Sequence, residues 1–381
     1  MPTYGRFPVA LTSGKGATAY DEDGKAYIDF GSGIGVTSLG YCDEGYIAAV
    51  NAQLHTAQHF SNLYYNKTQI DCAASLCRRT GMARVFFGNS GAEANECAIK
   101  LARKYSFDKY GKGRSTVITL CNSFHGRTVT TLAATGQDVF HNYFFPFTGD
   151  FVYAPANDLE ALKALADDTV CAVMLECVQG EGGVMPLDET FVQGVRALCD
   201  EHDWVMIVDE VQTGIGRTGK LLAVEHSGVK PDVVTLAKGL GGGLPIGACL
   251  CAEGFENVMS AGMHGSTFGG NPVVCAAASY ILDTVDTPAF LEAVTAKGTY
   301  IRDRLATMPH VKEVRGKGMM IGIVLEDDIA AKDVANACLA NGLLILTAKT
   351  LLRLLPPLNI SDTELARGLD ILETTLKEWN V

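Results

Sequence analysis

Nowhere in the chain does a run of lysine or arginine occur that could line a phosphate backbone. The formal charge is −12, with 31 Lys+Arg against 43 Asp+Glu, so a nucleic-acid partner is not expected. No stretch of 18 apolar residues occurs, so no membrane-spanning helix is expected. Residues 1–10 lack the basic-then-apolar pattern of a secretory leader. The twelve cysteines include no C-x-x-C pair. Most stand in apolar runs (Cys121, Cys171, Cys177, Cys249, Cys251), which reads as buried, reduced thiols of a cytoplasmic protein. H-E-x-x-H is missing as well: His55 and His59 have i, i+4 spacing without the glutamate and read as a solvated helix face, so no metal site is expected. G-x-x-x-x-G-K-[ST] is absent, and with it the signal for a nucleoside triphosphate. The sequence shows no repeat, low-complexity stretch or long linker.

What is present is a large apolar fraction. Of 381 residues, 48% are hydrophobic and only 19% charged, enough for a sizeable core and a length that suggests two or three domains. Short apolar runs at Arg84–Phe87, Thr116–Leu120, Val170–Leu175, Val205–Val208, Val233–Leu236 and Ala248–Cys251 read as strands of a parallel sheet covered on both faces. Helical periodicity falls between them, at Ala92–Tyr110, Leu159–Leu165, Thr190–His202 and Val273–Val285. This alternation predicts an α/β fold. Beyond Val285 the pattern becomes α+β: a helix over Ala289–Leu305, strands over Val311–Gly318 and Met319–Leu325, another helix, and a short strand over Leu343–Leu346. Residues 1–45 read as an N-terminal β segment, 46–285 as the large domain and 286–381 as a smaller C-terminal one.

Three stretches carry chemistry. Gly88-Asn89-Ser90-Gly91-Ala92-Glu93 follows a strand and opens a long helix. Free N–H groups there, beside small residues, suit an anion as well as they suit an ordinary N-cap. In Val208-Asp209-Glu210-Val211-Gln212, Asp209 ends an apolar strand, where a carboxylate faces the ligand crevice of an open sheet. It can hold a proton on a pyridine nitrogen; a helix cap or surface turn is the plainer alternative. In Thr235-Leu236-Ala237-Lys238-Gly239-Leu240-Gly241, Lys238 follows a strand and precedes a glycine-rich turn. A desolvated lysine has a lowered pKa and attacks an aldehyde, although most lysines are merely solvated. Gly214-Ile215-Gly216-Arg217-Thr218-Gly219 matches G-x-G-x-x-G formally. It stands too far from its strand, and without an early βαβ unit, to indicate a dinucleotide. Ser123–Thr128 and His264–Pro272 place aromatic or hydroxyl groups beside glycines, and neither is specific alone.

The order of these motifs resembles the class III (ornithine/acetylornithine-type) aminotransferases of pyridoxal-phosphate fold type I. The resemblance spans essentially the whole chain, and DEVQTGIGRTG followed by TLAKGLGGGLPIGA is highly specific. It implies a large, mostly parallel sheet domain with a smaller α+β domain, pyridoxal 5′-phosphate as cofactor, and a homodimer. It also implies transfer of the terminal amine of N-acetylornithine to 2-oxoglutarate. Ornithine, succinylornithine and other ω-amino acids are alternatives within the class; a nicotinamide-dependent dehydrogenase is the alternative outside it. On the same resemblance Lys238 carries the cofactor as a Schiff base and Asp209 pairs with its ring nitrogen. Phe124 and Val211 sandwich the ring, Gln212 contacts the phenolic oxygen, and Ser90, Gly91 and Ala92 bind the phosphate. Thr267 reaches the phosphate from the second subunit. Arg127 holds the substrate carboxylate, Glu181 and Arg353 pair near the substrate entrance, and Ile34 stands where ornithine-specific relatives carry a tyrosine. One departure is Gly40-Tyr41-Cys42-Asp43-Glu44, where the family often has Gly-His-x-His-Pro.

Overall fold

The structure, a computed structural model, describes residues 1–379. Its centre is a seven-stranded sheet. From one edge to the other the strands are Arg84–Gly88, Gly247–Cys251, Val233–Leu236, Val205–Asp209, Val170–Leu175, Thr116–Leu120 and Phe151–Ala154. The three central strands are buried along their whole length, as a sheet covered on both faces demands.

Six of the strands run parallel, but Gly247–Cys251 is antiparallel to both neighbours. This corrects the expectation that its apolar run is a parallel strand. Only residues 237–246 connect it to Val233–Leu236. A parallel return needs a crossover of a dozen or more residues, usually a helix, so the chain turns back beside itself. Strand Phe151–Ala154, at the edge, was not anticipated.

The long helix Gly91–Tyr110 begins where a cap permits. Ser90 is extended and its hydroxyl accepts the Glu93 N–H at 3.2 Å. The helix buries Ala94, Cys97, Ala98, Leu101 and Ala102 against the sheet and ends at Gly111, whose φ is +78°.

Two smaller sheets flank the chain ends. Leu11–Lys15, Thr18–Asp21 and Ala26–Asp29 form an antiparallel meander, and Leu343–Leu344 joins it in parallel beside Ala26–Asp29. Val311–Lys317, Met320–Leu325, Leu351–Leu354 and Leu346–Ala348 form the other. The single strand expected at Leu343–Leu346 is thus two, one in each sheet, and Leu351–Leu354, which carries Arg353, was missed. Phe30 is fully buried, and a Cβ on Gly368 of helix Asp362–Lys377 would lie 2.3 Å from its ring. The N-terminal segment therefore packs on the C-terminal helix.

His55 and His59 do not share a helix face. The helix Glu44–Leu54 ends before them, His55 is its C-cap, and His59 lies in the following loop against Phe268, ring centroids 5.6 Å apart. All twelve cysteines are unpaired; eight are buried, but Cys42 is exposed. Among the described residues no helix is long and apolar enough to cross a membrane.

Candidate active site

The strand ends of the large sheet converge on a cavity of about 430 Å³. Ser90, Gly91 and Ala92 line one side, Phe124 and Arg127 another, and Asp209, Val211, Gln212 and Lys238 the floor and rim. Nine residues singled out in the sequence therefore meet in one place.

Asp209 is the best-defined anion of the site. It is 3% exposed at the end of the Val205–Asp209 strand. Its Oδ2 accepts from Asn95 Nδ2 at 2.8 Å and lies 2.8 Å from His125 Nδ1; its Oδ1 accepts from the Val211 N–H at 2.9 Å. Asn95 is itself fixed, because its Oδ1 accepts from the Thr235 hydroxyl at 2.7 Å and its Nδ2 also donates to the His125 carbonyl at 2.7 Å. Burial opposes charge on His125, yet the Asp209 carboxylate outweighs it and raises the imidazole above its usual pKa. Asn95, His125 and Thr235 were not identified in the sequence as site residues. The available signal was a polar side chain at an apolar position: Asn95 among Ala94, Cys97 and Ala98, and Thr235 within Val-Val-Thr-Leu.

Lys238 follows directly after the Val233–Leu236 strand and Ala237, in a left-handed conformation of φ +43°. That is uncommon for a non-glycine residue and marks a backbone held in place by its surroundings. No hydrogen bond ties its amine among the described residues. Burial lowers its pKa; Glu181 opposes this and Arg353 adds to it.

The N-terminus of the 20-residue helix Gly91–Tyr110 opens into the same cavity. Its first N–H groups lack partners within the helix and carry the positive end of its dipole. Close approach is built in: a Cβ on Gly91 would meet Val211 Cγ1 at 2.7 Å, and one on Gly247 would meet the Ser90 carbonyl at 2.1 Å. The antiparallel strand, by pairing Gly247 with Gly88, brings that glycine here.

Arg353 lies just beyond the cavity, 2% exposed on the Leu351–Leu354 strand. Its Nη1 donates to Glu181 Oε1 at 2.6 Å and to Gln212 Oε1 at 3.3 Å. Burial works against charge on Glu181, but Arg353 prevails and holds it below the usual carboxylate range. Arg127 is exposed and stacks over the rings of Phe140 and Phe124, at 4.2 and 5.3 Å from their centroids.

Ile34 is 40% exposed at φ +69°, a rare conformation for a β-branched residue. The departing Tyr41 helps to hold that turn. Its hydroxyl donates to Asp29 Oδ2 at 2.7 Å, while Asp29 Oδ1 accepts the N–H groups of Gly31 and Ser32 at 2.7 and 2.9 Å. Thr267 is not brought to the cavity within this chain. It is exposed and lines a separate hollow with His59, Asn62, Leu63 and Ser266. The Gly214–Gly219 loop opens no long helix. Its Arg217 is buried and donates to the carbonyls of Met319 at 3.2 Å and Pro356 at 2.6 Å, so it ties segments of the chain together.

The aminotransferase class-III family model matches residues 2–376. An acetylornithine aminotransferase of Haemophilus ducreyi is 54% identical, over 99% of this chain and 96% of that protein. One from Caldanaerobacter subterraneus subsp. tengcongensis is 49% identical, over 99% and 97%. Among solved structures, the ornithine aminotransferase of Toxoplasma gondii ME49 superposes with a TM-score of 0.95 at 33% identity, over 99% of this chain and 92% of that one. The N-acetylornithine aminotransferase of Stenotrophomonas maltophilia K279a superposes at 0.87 with 37% identity, over 99% and 97%.

Glu210, beside Asp209, gives a test of the electrostatics. It is 1% exposed, and burial pushes its carboxyl up to about 7 despite bonds from the Thr213 hydroxyl and the Val224 N–H. A carboxyl with a raised folded-state pKa stabilises below its unfolded value and loses that contribution as pH rises through the folded one. Between pH 5 and 7 this one group is expected to cost about 1.4 kcal/mol of stability per pH unit. Glu210→Gln should flatten the pH dependence of the urea-unfolding free energy by that amount. An unchanged slope would show that Glu210 is ionised in the folded protein.

Proposed function

This chain belongs to the class-III aminotransferases, and we propose that it moves the terminal amino group of N-acetylornithine to 2-oxoglutarate with pyridoxal 5′-phosphate as cofactor. The observation that carries this reading is the cavity itself. An untethered lysine amine, a buried and fully bonded carboxylate and a free helix N-terminus face one space. Three curated relatives with 45–54% identity over 99% of this chain bear the name acetylornithine aminotransferase.

These residues fit the cofactor. The phosphate needs N–H donors and room for close approach; Ser90, Gly91 and Ala92 at the helix start offer the first and the small side chains there the second. A protonated ring nitrogen needs an anion that stays in place, and Asp209, gripped by Asn95 and His125, is one. When bound, the cofactor supplies an aldehyde that condenses with amines and a cationic ring that takes up the electrons of the substrate carbon.

The protein's own residues do the rest. Phe124 and Val211 hold the two faces of the ring, and Gln212 donates to its phenolic oxygen. Lys238, its pKa lowered by burial, carries the cofactor at rest. Its amine would serve as the general base and acid for the proton at the substrate carbon. Arg127 takes the carboxylate of N-acetylornithine, and Ile34 favours a neutral acetamide over a free ammonium. Glutamate presents a carboxylate beside its amine and so needs a nearer cation. Arg353 serves it, and Glu181 covers Arg353 when the other substrate is bound. The turn that carries Glu181 is bounded by glycines: Gly183 has φ +105°, and a Cβ on Gly180 would lie 2.4 Å from Gln212 Oε1.

The reading extends to assembly and location. Phe60, Leu63, Tyr64, Tyr65 and Phe268 are 48–98% exposed around the hollow that Thr267 lines. An apolar surface of this kind calls for a partner, and a second copy would bring Thr267 of the partner subunit to the phosphate. Segments 1–45 and 286–381 are read as the small domain and 46–285 as the large one, a division supported by the pairing of Leu343–Leu344 with Ile28–Asp29; residues 380–381 lie outside the described residues. Twelve unpaired cysteines support a cytoplasmic location.

Four outcomes test the proposal. Purified protein should be yellow, and Lys238→Ala should abolish turnover and that absorbance while retaining phosphate-site affinity for free cofactor; wild-type turnover in this variant would refute the reading. In steady-state measurements N-acetylornithine should exceed ornithine in kcat/KM, and a higher value for ornithine would overturn the preference; the next pair is read from single-turnover rates of each half-reaction. Glu181→Ala should speed the glutamate half-reaction relative to the acetylornithine half, and Arg353→Ala should cripple the glutamate half chiefly. Equal effects on both halves would reduce Glu181–Arg353 to a static pair. Sedimentation should show a dimer, with Thr267→Ala weakening cofactor binding; a fully active monomer would contradict it.

A further inference from the structure

None of these steps uses Glu176. It stands directly beyond the Val170–Leu175 strand in the cavity wall and is 5% exposed. A carboxylate so buried needs donors, and a cation is the commonest one. No cation bonds to it among the described residues. Each oxygen instead takes one backbone N–H: Oε2 accepts from Phe124 at 3.0 Å and Oε1 from Gly180 at 3.4 Å.

Those two N–H groups belong to different loops. One presents Phe124, His125 and Arg127 to the cavity. The other leads into Glu181, which reaches Arg353. The loops also touch directly: Gln179 Nε2 donates to the Cys121 carbonyl at 2.9 Å, and a Cβ on Gly182 would lie 2.6 Å from the Asn122 carbonyl.

Resting on the aminotransferase reading above, we propose that Glu176 is a positioning residue that braces the ring-covering loop and the Glu181 turn together, so that ring contact and the covering of Arg353 are set by one side chain. A carboxylate is suited to this because both of its oxygens accept. An amide of the same shape offers one acceptor and one donor, and its donor would face a second N–H. It can hold only one loop at a time. Burial is the main influence on the Glu176 carboxyl and raises it to about 7, with His125 opposing and Asp209 adding, so both oxygens accept together only above that pH, and the comparison with Gln is made at about pH 8.5. The group therefore sits in a dry setting where an unmet N–H is costly.

The test is Glu176→Gln in the holoenzyme, with Glu176→Asp, one methylene too short to span both loops, taking its place if the first does not fold. Hydrogen–deuterium exchange at the Phe124 or Gly180 amide should quicken by roughly tenfold, as loss of one hydrogen bond to a charged acceptor implies. The ratio of single-turnover rates should shift toward the glutamate half by roughly fivefold, the direction expected of Glu181→Ala. A purely structural residue would lower the melting temperature and slow both halves alike. An unchanged ratio, or unchanged exchange at both amides, overturns the proposal. Wild-type protein inert toward both substrates would instead remove the functional reading, and the exchange measurement would still decide whether Glu176 braces the two loops.

Discussion

Keeping an anion dry at the end of a central strand is the constraint around which this site is organised. Asp209 is buried, so its oxygens must be met by donors from nearby elements. Asn95 comes from the long helix Gly91–Tyr110, His125 from the loop after Thr116–Leu120, and the Val211 N–H from its own turn. Thr235, on the neighbouring strand, locks the Asn95 amide in the orientation that donates. Elements far apart in sequence are thereby held in fixed relation to one carboxylate. A charge fixed in this way needs no reorganisation when the charge of a reacting group changes, which is how preorganised electrostatics accelerate a reaction.

The second organising feature is a short connection. Because residues 237–246 are too few to cross over, Gly247–Cys251 runs against its neighbours. Lys238 therefore sits in the bend between two hydrogen-bonded strands, and Gly247 emerges beside Ser90 at the start of the long helix. One backbone reversal thus supplies both the amine and the clearance for an anion. Around this floor stand three further parts: the Glu181 turn, the Arg353 strand and the turn bearing Ile34. Each comes from a different stretch of the chain, and each meets the floor at a polar or glycine-lined contact. Gln212 joins the two groups, since its side chain touches Arg353 and its neighbour Val211 bonds to Asp209.

Much of this was legible in the linear order of residues. Apolar runs of strand length alternating with helical periodicity gave the α/β core, because burial on both faces leaves a mark on every residue of a strand. Lys238, Asp209 and the Ser90–Ala92 turn were legible because each combines a chemically distinctive residue with a strand end or helix start, and such junctions depend on local sequence. The network behind them was not. His125 and Asn95 are separated from Asp209 by 84 and 114 positions, and no local pattern encodes a pairing at that distance. The i, i+4 spacing of His55 and His59 misled for the converse reason: spacing implies a shared face only if the helix continues, and here it stops at Leu54.

The sequence by itself determined the fold class, the choice of Lys238 and Asp209 as strand-end residues of one crevice, and the small residues at the start of the long helix. These follow from hydrophobic periodicity and from steric limits that act over a few residues. Only the tertiary structure decided the direction of the Gly247–Cys251 strand, the splitting of Leu343–Leu346 between two sheets, the contact of Gln212 with Arg353, and the placing of Glu176 between two loops. Each of these depends on which backbone groups remain unsatisfied once the core has closed. That is settled by packing between distant segments, not by the preferences of any one of them.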